Sequence, residues 1–525
     1  MFRLRHKVFF RAFARFARVA AWSAVAWTTI ASSASWPTTI WPESAPETQG
    51  VDSVALREFH ESLAASGASL DCVLLIRHGY VVSEVYFAPY RPGIPHDLRS
   101  VTKTVVGMLV GAAIQQKDIR SVDQRMATLL PQKDATDARK SALTIGHLLD
   151  MRTGIQWREW PYDSRSDVMR MAASRNWVEY ILDRPMMANP GETFQYTGAA
   201  AHLLSAILTR ATGEPAAAYA GVQLFGPLGI HQYDWLKDPQ GNSIGESGLS
   251  LTPRDLAKLG YLHLRDGVWE GRRLLPQDWV RRIFAQAVPH GLRTSRLAPA
   301  YHALWWVDGS EPMAIAAGRH GQTLLILPEQ DVVLVLMGKT NDDSGLDVPT
   351  LVRARLLPAF HPQSLPQNII AQRALRNKEA QLSALTVMPG VAVPRTSGEI
   401  SGRRFLLGPN GQRIHSIRVE LPDRGAATFT IAWQSTTDVD GEAPFTRPFG
   451  KDGRFTLSEP TAWGIFASRG RWIDARTLLI QSEALQSSTM TSYQFRFTDG
   501  AVELIMTDND GMNERLMGRA RENSQ

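Results

Sequence analysis

Apolar and polar positions alternate in two registers along this chain. Ser53 to Gly67 has the 3.6-residue apolar spacing of an amphipathic helix, with Asp52 or Ser53 placed to cap it. Leu70 to Ile76 and Val81 to Tyr86 are apolar, β-branched runs on either side of Arg77-His78-Gly79-Tyr80, the pattern of a hairpin. Val101 to Gln116 is apolar on nearly every face, which predicts a helix buried in the middle of a domain. Further helices are predicted at Thr144 to Met151, Asp167 to Asp183, Ala199 to Ala211, Thr252 to Arg265 and Pro276 to Ala287. Strands are predicted at Thr323 to Leu327 and Val332 to Met337. An early hairpin, a helical middle and late antiparallel strands define an α+β architecture.

The pattern changes near Pro358. Gln367 to Leu385 reads as a polar helix and Pro389 to Gly398 as a linker rich in Pro and Gly. Beyond it, short alternating runs at Ser416 to Leu421, Ala427 to Trp433, Arg471 to Ser482, Thr489 to Phe497 and Ala501 to Thr507 predict a small all-β barrel or sandwich. The expected organisation is a first domain over 36–360, a helical linker over 361–398 and a β domain over 399–525. No cluster of reactive residues is legible in the last of these.

Charge adds a targeting signal. Six of the 57 basic residues (Arg3, Arg5, Lys7, Arg11, Arg15 and Arg18) lie before the first acidic residue, Glu43; the remaining 51 equal the 51 acidic ones. The body is neutral, which excludes the basic footprint of a nucleic-acid-binding protein. The basic stretch, the apolar run Val19 to Ile30 and small residues at Ser32 and Ala34 predict a cleaved signal peptide over 1–34. The expected location is the periplasm or the exterior, with no membrane span after cleavage. Cys72 is the sole cysteine, so an intramolecular disulfide is excluded.

The candidate chemistry is equally sparse. Gly-x-Ser-x-Gly, His-Glu-x-x-His and a phosphate loop are all missing, and the 13 histidines have no metal-ligand spacing. Neither a metal nor an organic cofactor is expected. Lys103 alone among the lysines has a serine three residues before it, Ser100. On a helix the two side chains share a face, so a lysine whose pKa burial lowers could deprotonate the hydroxyl. The alternative is a capping serine beside a solvated lysine. The apolar run that follows favours chemistry, because a lysine inside a core helix needs a partner or a task.

Ser100-Val101-Thr102-Lys103, preceded by Pro95-His96-Asp97-Leu98-Arg99, resembles the first motif of the serine β-lactamase-related hydrolases. That family includes class C β-lactamases, penicillin-binding carboxypeptidases, related esterases and 6-aminohexanoate-dimer hydrolases. Thr144 to Gly154, Leu249 to Ala257 and Leu274 to Val280 are similar to its later segments, so the resemblance spans about Trp41 to Gly338 and lies nearest the aminohexanoate-hydrolase and esterase branch. It implies a β-lactamase/transpeptidase-like domain, an antiparallel sheet with a helical subdomain. The second motif, Tyr-x-Asn, falls on Tyr196, Thr197 and Gly198, which gives Tyr196 the proton-transfer role and lacks the asparagine. The third falls on Arg319, His320 and Gly321, followed by Gln322. The resemblance implies that Arg319 supplies a cation for a substrate carboxylate or for tuning Lys103 and Tyr196. It also implies that the backbone N–H groups of Ser100 and Gln322 form an oxyanion hole. His320 stands where relatives carry a small residue; it could bind substrate, obstruct the cleft or point away, and of these a cleft narrowed by its imidazole is expected. The aromatic stretch Trp157, Trp160, Tyr162 and Trp177 reads either as a lid or as core.

The function expected is a secreted serine hydrolase that cleaves a small ester, amide or peptide through an acyl-enzyme on Ser100. Lys103 would be the general base and Tyr196 the proton donor to the leaving group. A D-alanyl-D-alanine carboxypeptidase or β-lactamase is the first alternative. The second is a slowly acylated, penicillin-sensing protein without turnover.

Overall fold

Buried strands with no polar face build the centre of the computed structural model, which describes residues 36–131, 137–291, 297–341, 346–434 and 442–521. The predicted signal peptide lies outside the described residues. Strands β1 (Leu70–Arg77) and β2 (Tyr80–Tyr86) form the hairpin. Six later strands complete the sheet: β3 (Val288–Pro289), β4 (Ala300–His302), β5 (Trp305–Asp308), β6 (Met313–Gly318), β7 (Gln322–Leu327) and β8 (Val332–Gly338). The order is β2-β1-β8-β7-β6-β5-β4-β3, antiparallel throughout. Every residue of β1, β7 and β8 is buried, which accounts for their unbroken apolar sequences.

Helices cover this sheet. Helix α1 (Ser53–Ala65) is capped by Asp52, whose side chain accepts from the Val54 N–H. Helix α2 (Val101–Gln116) buries all of Val101 to Ala113 against β6, β7 and α3 (Gly198–Thr212). Its buried hydroxyls are satisfied: Thr104 Oγ1 donates to the Leu304 carbonyl at 2.7 Å, and Thr102 Oγ1 accepts from the Leu249 N–H at 3.3 Å. Helix α4 (Pro253–Leu264) packs on β1, β7 and β8, and α5 (Ile369–Ser383) packs on α1 and β2. The helix expected over Asp167 to Asp183 is two helices, Asp167–Ala173 and Trp177–Leu182. Asn176 restarts it by accepting the Glu179 N–H. No helix among the described residues is long and apolar enough to cross a membrane.

The C-terminal region is a ten-stranded sheet with its own core. Its strands are β9 (Arg404–Leu407), β10 (Ile414–Glu420), β11 (Ala427–Gln434), β12 (Glu442–Phe449), β13 (Thr456–Leu457), β14 (Phe466–Trp472), β15 (Thr477–Ala484), β16 (Met490–Thr498), β17 (Ala501–Asp508) and β18 (Asn513–Ala520). Neighbours follow the order β12-β11-β10-β9-β18-β17-β16-β15-β14-β13. A bridge from Gly450 to Arg469 brings the two ends together, as a barrel requires. Tyr493, Phe495 and Phe497 point inward at the two-residue period of β16. The run expected as one strand over Arg471 to Ser482 is two, because Asp474 accepts the Arg476 N–H and turns the chain. Strands β9, β12 and β18 were not legible: β12 carries Pro444 and Pro448, and β18 alternates charges with little apolar content.

Candidate active site

Leu98 and Arg99 lead from the short strand His96–Asp97, which pairs with Leu249–Leu251, into α2, and Arg99 turns the chain sharply by adopting a left-handed backbone (φ 47°). Ser100 then occupies the N-cap position, but its side chain makes no capping hydrogen bond. Instead Oγ receives a hydrogen bond from Lys103 Nζ at 2.9 Å. Lys103 is 2% exposed and also donates to the Glu246 carbonyl at 2.9 Å. The capped-serine, solvated-lysine alternative is therefore excluded.

Tyr196 lies just before α3, with Lys103 Nζ 5.1 Å from its ring centroid. Its ring stacks on Trp306 at 5.4 Å and meets Tyr301 edge-on at 6.3 Å, which fixes the plane of the phenol. The first two motifs are thus brought together at Lys103. The lysine's electrostatics differ from the expectation that burial would bring it towards neutrality. Burial does push it down, but Tyr196, Glu159 and Glu246 outweigh that penalty and hold it above its ordinary value.

Glu159 and Glu246 were not singled out in the sequence, having no motif spacing to mark them. Glu159 accepts from Trp157 Nε1 at 2.7 Å and from the Gly198 N–H at 2.9 Å. Glu246 is pushed up to about 7 by burial and by the charge of Glu159, with Lys103 opposing. Two buried carboxyls and one ammonium therefore share the floor of the site.

The third motif forms a tight turn between β6 and β7. Gly321 has φ +90°, a conformation that favours glycine. The Gln322 side chain donates to the Gly338 carbonyl at 2.6 Å, so only its backbone remains for the oxyanion role. Arg319 pairs with Asp510 at 3.0 Å and lies under Tyr162 and Trp160, 4.8 and 5.7 Å from their ring centroids. His320 is 1% exposed, with Nδ1 on the Thr340 carbonyl at 3.0 Å and Nε2 on Asp510 at 2.9 Å. The expected cleft-narrowing and substrate-binding roles of His320 are corrected by this placement. Both nitrogens are committed to protein acceptors, and the ring's bulk is taken up between the turn and the C-terminal barrel.

Asp510 lies in the turn between β17 and β18, so the barrel reaches the site that its sequence did not reveal. It also accepts from Arg99 Nη2 at 2.9 Å and Thr489 Oγ1 at 2.8 Å. Arg99 Nε donates to Ser488 Oγ at 2.6 Å, and the Asp97 N–H donates to the Gln486 carbonyl at 2.8 Å. Burial would raise the Asp510 carboxyl, but His320, Arg99 and Thr489 hold it well below the usual carboxylate range.

The aromatic stretch divides. Trp157 and Trp177 are core, the latter 5.2 Å from the His202 ring, whereas Trp160 (48% exposed) and Tyr162 form the roof over Arg319. Cys72 is buried in β1, where burial pushes its thiol far up, away from reactivity. Among the described residues, no three His, Cys, Asp or Glu side chains are grouped to hold a metal ion.

A serine at a helix start, a lysine one turn on, an aromatic partner and a Gly-containing turn on the adjacent strand define a β-lactamase-type site on a β-lactamase/transpeptidase-like fold. The chain belongs to the beta-lactamase family, whose model matches residues 55–357. It is 28% identical over 290 residues to the 6-aminohexanoate-dimer hydrolase of Paenarthrobacter ureafaciens, covering 52% of this chain and 73% of that one. It is 24% identical over 326 residues to an uncharacterised protein of Alkalihalophilus pseudofirmus, covering 54% of this chain and 88% of that one. In structure it is similar to a Bacillus anthracis protein provisionally assigned as a 6-aminohexanoate-dimer hydrolase. That similarity has a TM-score of 0.51 and 20% identity, covering 62% of this chain and 89% of that one.

Proposed function

We propose that the protein is an exported serine hydrolase that cleaves a short ester or a linear amide through an acyl-enzyme on Ser100. The carrying observation is the part-buried 2.9 Å contact between Lys103 Nζ and a Ser100 hydroxyl that caps nothing. Lys103 and Tyr196 act as one base once the pair has lost a single proton. That pair takes the Ser100 proton as Oγ attacks the carbonyl carbon. The oxyanion is held by the backbone N–H groups of Ser100 and Gln322. Collapse breaks the bond to the leaving oxygen or nitrogen, which receives the proton from the pair. Water, deprotonated by the same pair, then releases the acyl group.

The relative named for the 6-aminohexanoate dimer favours linear amides as the substrate class. The N-terminal signal favours action in the periplasm or outside the cell. The test is a panel of nitrophenyl esters, aminohexanoate oligomers and a chromogenic cephalosporin, with intact-mass detection of acylated chain. Turnover of esters or linear amides with a Ser100 adduct is expected. A cephalosporin-only response, or an adduct that never turns over, would overturn the reading.

A further inference from the structure

Gly198 is the first residue of α3, and its missing side chain has a counterpart elsewhere in the chain. A Cβ at Gly198 would lie 1.8 Å from Glu246 Oε2 and 3.0 Å from its Cδ. The Glu246 carboxyl therefore fills the volume that a side chain at 198 would need. It arrives from a separate turn, locked in place because Gly245 packs against the backbone of Ala201 and His202. The Glu246 carbonyl meanwhile accepts from Lys103 Nζ. Across the same glycine, Glu159 accepts the Gly198 N–H through Oε2, while its Oε1 is buried with no hydrogen-bond partner.

Two carboxyls thus flank Gly198, and one of their oxygens, Glu159 Oε1, is buried without a donor. The other charged or titratable groups around them are Lys103 on α2, Tyr196 before α3, and Tyr162, which senses both carboxyls. Behind Gly245 stand His202 and Asp238, paired at 3.2 Å. One cation against two carboxylates in a buried site favours retention of one proton by the carboxyls.

We propose that Glu246 carries a proton beside Glu159 across Gly198 and that the two carboxyls together act as the positioning pair for Lys103. With that proton in place, a single carboxylate charge faces the lysine. When the proton leaves, two negative charges bind the Lys103 ammonium more tightly and oppose the oxyanion forming on the substrate. Acylation, which needs the Lys103–Tyr196 pair to have lost a proton, therefore stops rising as pH passes about 7, where Glu246 loses its own. This rests on Ser100 being the nucleophile.

The experiment measures the second-order rate of Ser100 labelling by a fluorophosphonate from pH 5.5 to 9, read by intact mass. Wild-type labelling should rise with pH, flatten near pH 7 and then run about tenfold below the extrapolated line, the effect of roughly one unit of pKa on the base. Glu246→Gln keeps the shape and fixes the group neutral, so it should retain labelling and lose that break. Glu246→Ala should label at least about tenfold more slowly, because emptying the volume beside Gly198 lets Lys103 shift away from Ser100. Gly198→Asn should also be impaired, and adding Glu246→Ala to it should recover labelling by vacating the contested volume. A break unchanged in Glu246→Gln, or wild-type rates in Glu246→Ala, would overturn the proposal alone. No Ser100 adduct on wild type at any pH would instead remove the hydrolase reading beneath it.

Discussion

Arg319 and Asp510, 191 residues apart, are joined by a 3.0 Å ion pair that ties the third motif to the C-terminal barrel. Arg99, the residue before Ser100, reaches the other oxygen of the same carboxylate. One acidic residue on the barrel therefore braces both walls of the site. An arginine already paired in this way is a poor isolated anchor for a substrate carboxylate, since its charge is largely compensated. Arg319→Ala is expected to lower turnover of neutral esters as well as acidic substrates; loss confined to acidic substrates would contradict this.

Asp510→Asn should destabilise the protein by about 1–3 kcal/mol at neutral pH, the cost of weakening charge-assisted bonds to Arg99, Arg319 and His320. The Asp510 carboxyl is depressed in the folded state. Its contribution is therefore present above the unfolded carboxyl value of about 3.9 and fades as pH falls below it. Denaturant midpoints of wild type and variant should differ by a steady amount between pH 8 and 5, and the gap should begin to narrow as pH falls below about 4. A gap that stays constant from pH 5 down to pH 2.5 would show that charge is not the cause.

His320 has φ 65° and is buried, so His320→Gly costs no backbone strain but removes the bonds to Thr340 and Asp510. Activity should fall for large and small acyl groups alike, by roughly tenfold if about 1.4 kcal/mol of positioning is lost. A selective gain with bulky esters would restore the narrowed-cleft expectation.

Lys103→Met keeps most of the buried volume and removes the cation. Turnover should drop on the order of 10³-fold or more, and Ser100→Ala should be no worse, because members of one catalytic unit fail together. Without the ammonium, Glu159 and Glu246 face each other uncompensated, so the stability deficit of Lys103→Met should be larger at pH 8.5 than at pH 6. Ester hydrolysis and urea unfolding at the two pH values check both halves.

Export is tested at the N-terminus. Protein recovered from the periplasm or medium should begin at or near Ser35, after the small residues Ser32 and Ala34. Full-length chain confined to the cytosol would contradict it.

Local pattern determined much of this protein. The apolar wheel of Val101 to Gln116 made a buried helix inevitable, and a Ser-x-x-Lys spacing on any helix puts the two side chains on one face. Tyr196 and the Arg319–Gly321 turn were likewise legible, because each lies in a contiguous motif. The tertiary structure alone decided the rest. Glu246 meets Lys103 across 143 residues and displaces the side chain of Gly198; no periodicity records that encounter. Asp510 sits in a turn that carries no motif, and only docking of the barrel gives it three cationic or imidazole partners. The sign of the Lys103 shift was beyond local reading for the same reason. Burial and charge act on it in opposite directions, and the winner depends on which carboxyls folding brings within reach.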